Sequence, residues 1–298
     1  MIGLTPERIA EELERYRSRI AEGAQVLTRM GEIEAGVSPR DPVYREDKLT
    51  LYRYRPRAAV LRPVPLLIVY ALVNRPYMMD LQEDRSMIRG LLDAGLDIYL
   101  IDWGYPDAGD RELTLGDYVH RYIGHCVDYL RDRYHRDSID LLGVCQGGAL
   151  SLCFASLYPE KIRNLVTMVT PVDFHTPDNL LTHLIRHVDI DLLVDTLGNL
   201  PGALLNFAFL SLSPFRLAGQ KYVDVVDILD DAEALKNFLR MEKWIFDSPD
   251  QAGEAFRQFA KDFFQQNKLV EGNVVIGDRR VNLRDVAMPV LNVYATQD

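Results

Sequence analysis

The stretch Gly143-Val144-Cys145-Gln146-Gly147-Gly148 follows an apolar run typical of a buried strand, residues 139–144, and precedes a helix-forming run, residues 149–158. A sharp turn from a strand into a helix needs small residues on either side of its central residue, and the three glycines supply that room. The N–H groups at the start of a helix also favour a thiolate. A small buried hydrophobe is the alternative for a cysteine in such a place. The glycine spacing favours a nucleophile elbow with Cys145 as the nucleophile.

The composition indicates an ordinary globular protein. The chain has 298 residues, 48% of them hydrophobic and 26% charged, and a formal net charge of -10. This negative charge argues against nucleic-acid binding. The three cysteines form no CxxC pair, and no His/Cys/Asp/Glu cluster has ligand spacing, so we expect neither disulfides nor a metal, and we interpret Cys126 and Cys153 as small buried hydrophobes. With no leader and no roughly 18-residue apolar run, a cytoplasmic protein without a membrane span is predicted.

Strand-like and helix-like runs alternate over the first two thirds of the chain. The strand-like runs are residues 48–54, 66–70, 98–101, 139–144 and 165–169, and the helix-like runs are residues 83–92, 115–134 (with Thr114 as cap) and 149–158. Such alternation predicts an α/β protein with a mostly parallel sheet covered by helices on both faces. Together with the elbow it indicates an α/β-hydrolase fold.

The pattern divides the chain into four parts. We expect an N-terminal helical arm over residues 1–40, and the first part of the core, with the elbow, over residues 41–172. A largely helical stretch, residues 173–285, is interpreted as an inserted cap whose apolar character suits a lipophilic product. Residues 286–298 resume strand character and end in an acid, and the C-terminal part of the core is expected to be missing.

Two members of a catalytic triad can be assigned. In α/β hydrolases the nucleophile, the acid and the histidine follow one another along the chain, which assigns the first two places to Cys145 and Asp298. All six histidines precede Asp298, so the catalytic histidine is expected to be absent from this chain. His175, His183 and His187, at the entrance of the cap, are the candidates for a substitute base.

The oxyanion donors are expected in two places. One is the backbone N–H of Gln146, which follows the nucleophile, and the other is the loop after an early strand, where the amides of Val73 and Asn74 are candidates. Arg75, in the same loop, could pair with a phosphate of an anionic substrate. A solvated surface arginine is the alternative.

Five segments together resemble the catalytic subunit of class III polyhydroxyalkanoate synthases, and the resemblance runs over nearly the whole chain. The segments are the elbow at 143–148, YALVNRPY at 70–77, YLIDWG at 99–104, NLVTMVTPVDF at 164–174 and WIFDSP at 244–249. The resemblance implies polymerisation of (R)-3-hydroxyacyl-coenzyme A, mostly the 3-hydroxybutyryl form, into polyester with release of coenzyme A. Cys145 would carry the acyl chain as a thioester, and Asp298 would orient the histidine.

The resemblance also implies partners. These are a second, non-catalytic synthase subunit and the surface of polyester granules, while coenzyme A is part of the substrate and no cofactor is implied. Two other interpretations stay open: a cysteine-dependent esterase or thioesterase on the same fold, and an inactive truncated form that retains only partner or granule binding. The product separates the first two, since a synthase makes insoluble polyester and a hydrolase makes free hydroxy acid.

Overall fold

The computed structural model describes residues 35–177, 179–212, 225–229 and 231–295. The predicted N-terminal arm falls mainly on residues 1–34, outside the described residues. The described strands are β1 (Arg40–Glu46), β2 (Leu49–Tyr54), β3 (Leu66–Val69), β4 (Asp80–Gln82), β5 (Arg85–Ser86), β6 (Ile98–Asp102), β7 (Ile139–Val144), β8 (Ile162–Met168), β9 (Val275–Ile276), β10 (Arg279–Arg280) and β11 (Val290–Val293).

Six of the described α-helices lie between β8 and β11. They are α1 (Met87–Asp93), α2 (Gly124–Tyr134), α3 (Gln146–Leu157), α4 (Leu180–Ile185), α5 (Ile190–Leu197), α6 (Gly202–Leu212), α7 (Ala232–Phe246), α8 (Gly253–Gln258) and α9 (Lys268–Glu271). Two π-helical segments, Asp117–Ile123 and Phe259–Gln265, run directly into α2 and out of α8. Short 3-10 turns lie at Pro76–Met79, Ala108–Asp110, Pro159–Lys161, Val225–Ile228 and Leu283–Asp285.

A seven-stranded sheet in the order β1-β2-β6-β3-β7-β8-β11 forms the centre of the molecule. The five strands β6-β3-β7-β8-β11 are parallel, whereas β1 pairs antiparallel with β2, and β2 pairs antiparallel with β6. All four residues of β3 are buried, as expected of a parallel strand covered on both faces. This architecture confirms the predicted α/β-hydrolase fold.

The residues of β3 alternate between two hydrophobic clusters on opposite faces of the sheet. Leu67 and Val69 belong to the cluster that contains the elbow helix α3, whereas Leu66 and Ile68 belong to the cluster that contains α1. The period of two along a strand explains this division. The sheet thereby fixes where β3 and β7 end, and the candidate site lies at those ends.

Two elements differ from the sequence-based expectations. Strand β1 was not predicted, because this antiparallel edge strand is polar and has only partly buried or exposed residues. The predicted helix over 83–92 begins only at Met87, where the Ser86 hydroxyl caps it by accepting a hydrogen bond from the Arg89 N–H at 2.9 Å. The residues before Met87 pair in the short β4–β5 hairpin instead.

The helix predicted from residue 115 is capped as expected. The Thr114 hydroxyl accepts from the Asp117 N–H at 3.2 Å, and the Asp117 carboxylate accepts from the Thr114 N–H at 2.8 Å. This reciprocal pair satisfies two N–H groups at the start of the helix.

Among the described helices, none is both long and apolar enough to cross a membrane.

Strand β11 presents apolar side chains at the end of the described sheet. Val290, Leu291, Val293 and Tyr294 are 50%, 60%, 37% and 71% exposed. The strand pairs in parallel with β8, and within the described residues it is the last strand of the sheet. Apolar side chains are therefore exposed within residues 290–294.

Candidate active site

Cys145 occupies a strained turn between β7 and α3. Its backbone angles, φ 55° and ψ -126°, lie in a region that side-chain-bearing residues rarely adopt. The Cys145 N–H donates to the Met168 carbonyl at 2.9 Å, and the Cys145 carbonyl accepts from the Gly148 N–H at 2.9 Å. The predicted sharp turn from strand to helix is present, with Cys145 at its apex.

The close packing of the turn explains its glycines. A Cβ at Gly143 would lie 2.5 Å from the Cα of Gly148. A Cβ at Gly147 would lie 2.6 Å from the backbone carbonyl of Tyr70 and closer still to the Val69 carbonyl oxygen. Helix α3 thus approaches the end of β3 at a distance that only glycine allows.

A cavity of about 650 Å³ opens beside the elbow, and Cys145, Gln146 and Val73 all line it. Helices α4, α5 and α6 contribute nine further lining residues, five of them leucines. Of the described residues that line the cavity, none is Asp, Glu, Lys, Arg or His. An acyl chain would fit this environment, whereas a charged group would lose its hydration there.

Three predicted site residues therefore meet at one place, and Asn74 does not join them. Cys145, Gln146 and Val73 share the cavity wall, while Asn74 is not among the residues that line it. Asp298 lies outside the described residues. The roles of all five residues stay predictions.

Arg75 lies in a different environment from either expected one. Its side chain is only 13% exposed, so the solvated alternative is wrong. Its guanidinium donates to the Asp102 carboxylate at 2.9 Å and to the Gly104 carbonyl at 3.2 Å, and it stacks on the Tyr105 ring at 4.4 Å. Arg75 pairs with Asp102 because β6 ends beside the loop. The pairing with a substrate phosphate stays a prediction.

All six histidines lie among the described residues, and none of them lines the cavity. The ring of His175 contacts the Phe264 carbonyl at 2.9 Å, and that of His183 contacts the Pro177 carbonyl at 3.2 Å. His120 is held between the Tyr158 hydroxyl and a backbone carbonyl. The geometry gives no support to His175, His183 or His187 as the base of Cys145.

The other two cysteines are buried, as the sequence predicted. Cys126 and Cys153 are fully buried, and burial raises the pKa of Cys153 to about 12. Burial also raises the pKa of Cys126 well above its usual value. Both thiols are therefore inert at neutral pH. In the described part of the chain, no group of three His, Cys, Asp or Glu residues is arranged to hold a metal ion.

Three contributions to the site could not be found from the sequence. The Gln146 side chain accepts a hydrogen bond from the Leu72 N–H at 3.0 Å, in addition to the expected role of its backbone. Tyr70 is buried near the elbow, and its pKa is raised chiefly by burial and further by the Cys145 thiol. Phe259 packs in the core and also lines the cavity. Each of these contributions depends on contacts between segments that are distant in the sequence.

Known protein families match the chain over its whole length. The family model for the alpha/beta hydrolase fold matches residues 64–298, and the model for the poly-beta-hydroxybutyrate polymerase (PhaC) N-terminus matches residues 7–91. The poly(3-hydroxyalkanoate) polymerase subunit PhaC of Allochromatium vinosum is 61% identical over 299 residues, which cover 100% of this chain and 84% of that protein. The chain belongs to the poly(3-hydroxyalkanoate) polymerase family.

Two further relatives support the assignment to the poly(3-hydroxyalkanoate) polymerase family. The PhaC subunit of Thiocystis violacea is 59% identical, over 100% of this chain and 84% of the relative. The PhaC subunit of Synechocystis sp. is 55% identical, over 98% of this chain and 79% of the relative. The family predicted from the five segments is thus confirmed.

Proposed function

We propose that this protein polymerises (R)-3-hydroxyacyl groups, mainly 3-hydroxybutyryl, from coenzyme A thioesters into polyester. The observation that carries the proposal is the 61% identity to a poly(3-hydroxyalkanoate) polymerase subunit over the full chain. A cysteine at the apex of the elbow, beside an uncharged apolar cavity, supports the same chemistry.

In the first step, the Cys145 sulfur attacks the carbonyl carbon of the substrate thioester. The bond from that carbon to the sulfur of coenzyme A breaks, coenzyme A leaves as a thiol with the proton from Cys145, and the acyl group stays on Cys145. One thioester replaces another, so a cysteine makes this transfer nearly isoenergetic. The backbone N–H groups of Gln146 and Val73 stabilise the oxyanion that forms during the attack.

In the second step, the 3-hydroxyl of one hydroxyacyl group attacks the thioester of another, and an ester bond replaces a thioester bond. Water competes with this hydroxyl. The uncharged lining of the cavity disfavours ordered water and accommodates the apolar parts of the chain. The same cavity therefore supports polymerisation over hydrolysis.

The proton relay includes Asp298 as the triad acid. Since none of the six histidines lines the cavity, we do not assign the base of Cys145 to any of them. A second, non-catalytic subunit and the surface of polyester granules are the proposed partners. The apolar side chains exposed on β11 are compatible with such contacts.

Incubation with (R)-3-hydroxybutyryl-coenzyme A tests the proposal. We expect release of coenzyme A and a covalent acyl adduct on Cys145, seen by mass spectrometry of the intact protein. The expected final product is insoluble polyester. Cys145→Ala abolishes the adduct, whereas Cys153→Ala, at a fully buried thiol, preserves it. Free hydroxy acid as the only product, or an adduct that survives in Cys145→Ala, would contradict the proposal.

A further inference from the structure

The loop that carries the second oxyanion donor is held at both of its ends. This loop, residues 72–75, follows the end of β3. At its first residue, the Leu72 N–H donates to the Gln146 side-chain oxygen at 3.0 Å. At its last residue, the Arg75 carbonyl accepts from the indole N–H of Trp244 at 2.8 Å. Val73, which lines the cavity beside Cys145, lies between these two anchors.

Arg75, at the second anchor, is also bonded to the end of a sheet strand. Arg75 and Asp102 form an ion pair at 2.9 Å with side chains only 13% and 8% exposed. The Arg75 guanidinium also donates to the Gly104 carbonyl at 3.2 Å. A buried pair with this additional bond has little freedom to rearrange. These bonds tie the Arg75 side chain to the carboxyl end of β6, whereas its backbone carbonyl is bonded by Trp244.

The same end of α7 makes further bonds to these loops. Asp247, three residues after Trp244, accepts from the Tyr77 hydroxyl at 3.1 Å and from the Tyr105 hydroxyl at 2.8 Å. Tyr105 in turn lies under the Arg75 guanidinium at 4.4 Å. The last turn of α7 therefore contacts both the loop after β3 and the loop after β6.

We infer that Trp244 is a positioning residue for the oxyanion site, acting from α7 through the Arg75 carbonyl on the Val73 N–H. The inference rests on the proposed acyl transfer to Cys145. It couples the helical region between β8 and β11 to catalysis, because a shift of the last turn of α7 moves the loop that carries the Val73 N–H. Trp244 is not among the residues that line the cavity.

Two reactions of the Cys145 thiol distinguish a positioning role of Trp244 from an effect on folding. Acylation of Cys145 by a thioester passes through an oxyanion, whereas alkylation by iodoacetamide displaces iodide and forms none. Loss of one oxyanion donor costs about 10²–10³ in rate, so misplacing a donor that remains present costs about tenfold to hundredfold. Only acylation depends on the donor, so a positioning role predicts that the ratio of the two rates falls.

The experiment uses the full chain and the variant Trp244→Phe, which keeps an aromatic ring and removes the N–H donor. Coenzyme A release in the first turnover, at saturating (R)-3-hydroxybutyryl-coenzyme A, is compared with the rate of Cys145 alkylation. We expect acylation to fall about tenfold to hundredfold while alkylation stays within about twofold of the wild-type rate. Phe246→Leu, at a 55% exposed side chain of the same helix, is the matched control and leaves both rates unchanged.

An unchanged acylation rate, or an equal fall in both rates, overturns the inference. If Trp244→Phe loses its cooperative melt, a benzothiophene isostere of the Trp244 side chain keeps the shape and lacks only the N–H, and the same ratio decides. A wild-type chain that is acylated by an aryl thioester but not by the coenzyme A substrate refutes the proposed substrate and leaves this test intact. If neither thioester acylates the wild-type chain, both the proposed function and this inference are refuted.

Discussion

A methyl group added at Gly147 would collide with the backbone of the central strand. In Gly147→Ala the new Cβ lies 2.6 Å from the Tyr70 carbonyl and closer still to the Val69 carbonyl oxygen, so one element must move by at least about 0.8 Å to reach an ordinary contact of 3.4 Å. Overpacking of this kind costs about 1–3 kcal/mol, and backbone atoms cannot rotate away as a side chain can. The higher helix propensity of alanine returns at most about 1 kcal/mol. We therefore expect a net loss near 2 kcal/mol, at about the upper end of the overpacking range less the helical gain.

Gly90→Ala is the matched control for this substitution. Gly90 also lies in a helix, α1, but a Cβ there has no atom of its surroundings within 4 Å. The same change should stabilise the protein by about 0.5–1 kcal/mol through helix propensity alone. The two substitutions thus add the same methyl group and are expected to change the free energy of unfolding in opposite directions.

Thermal melting followed by circular dichroism measures both effects. A loss of about 2 kcal/mol corresponds to a fall in Tm of about 4–8 °C for Gly147→Ala, and Gly90→Ala should melt slightly above the wild type. Urea titration gives the same signs with an unchanged slope against denaturant. A Gly147→Ala protein as stable as the wild type would refute the account of the elbow as a glycine-dependent close contact.

Three further predictions concern the base, the core and the cavity. Added imidazole should accelerate acylation of Cys145, and His175→Gln should leave that rate unchanged; loss of activity in the variant would identify an upstream base. Phe263→Ala, at a fully buried ring, should cost about 3–5 kcal/mol in urea titration; a cost below 1 kcal/mol would contradict that burial, since even about 2 kcal/mol is common for smaller core truncations. Leu193→Glu should weaken Nile red binding at least about tenfold, because a charge enters the apolar cavity. Leu192→Glu, at a 64% exposed neighbour outside the cavity wall, should not, and equal effects would argue against binding in this cavity.

Local signals made much of the fold predictable. The elbow depends on glycines within six consecutive residues, and the central strands are continuous apolar runs because both faces of the sheet are covered. Thr114 was predictable as a cap because its partner, Asp117, lies three residues away. Each of these features needs only neighbouring residues to be recognised.

Elements stabilised by distant partners were missed. Strand β1 has a polar sequence and owes its conformation to pairing with β2 at the sheet edge. Residues 83–86, which include β5, were interpreted as the start of a helix, although β5 pairs with β4, whose Asp80 carboxylate accepts from the Ser38 N–H at 2.7 Å, 42 residues away. Propensity within the segment gives no sign of such a contact.

The sequence by itself determined the elbow with Cys145 at its apex, and the family, because these depend on residue types at fixed short spacings. Only the tertiary structure decided how the oxyanion loop is held. Gln146 and Leu72 are 74 residues apart, Trp244 and Arg75 are 169 apart, and Arg75, in the loop after β3, pairs with Asp102, the last residue of β6. A hydrogen bond forms only between groups within about 3.5 Å with suitable geometry, and the packing of the whole chain sets those distances.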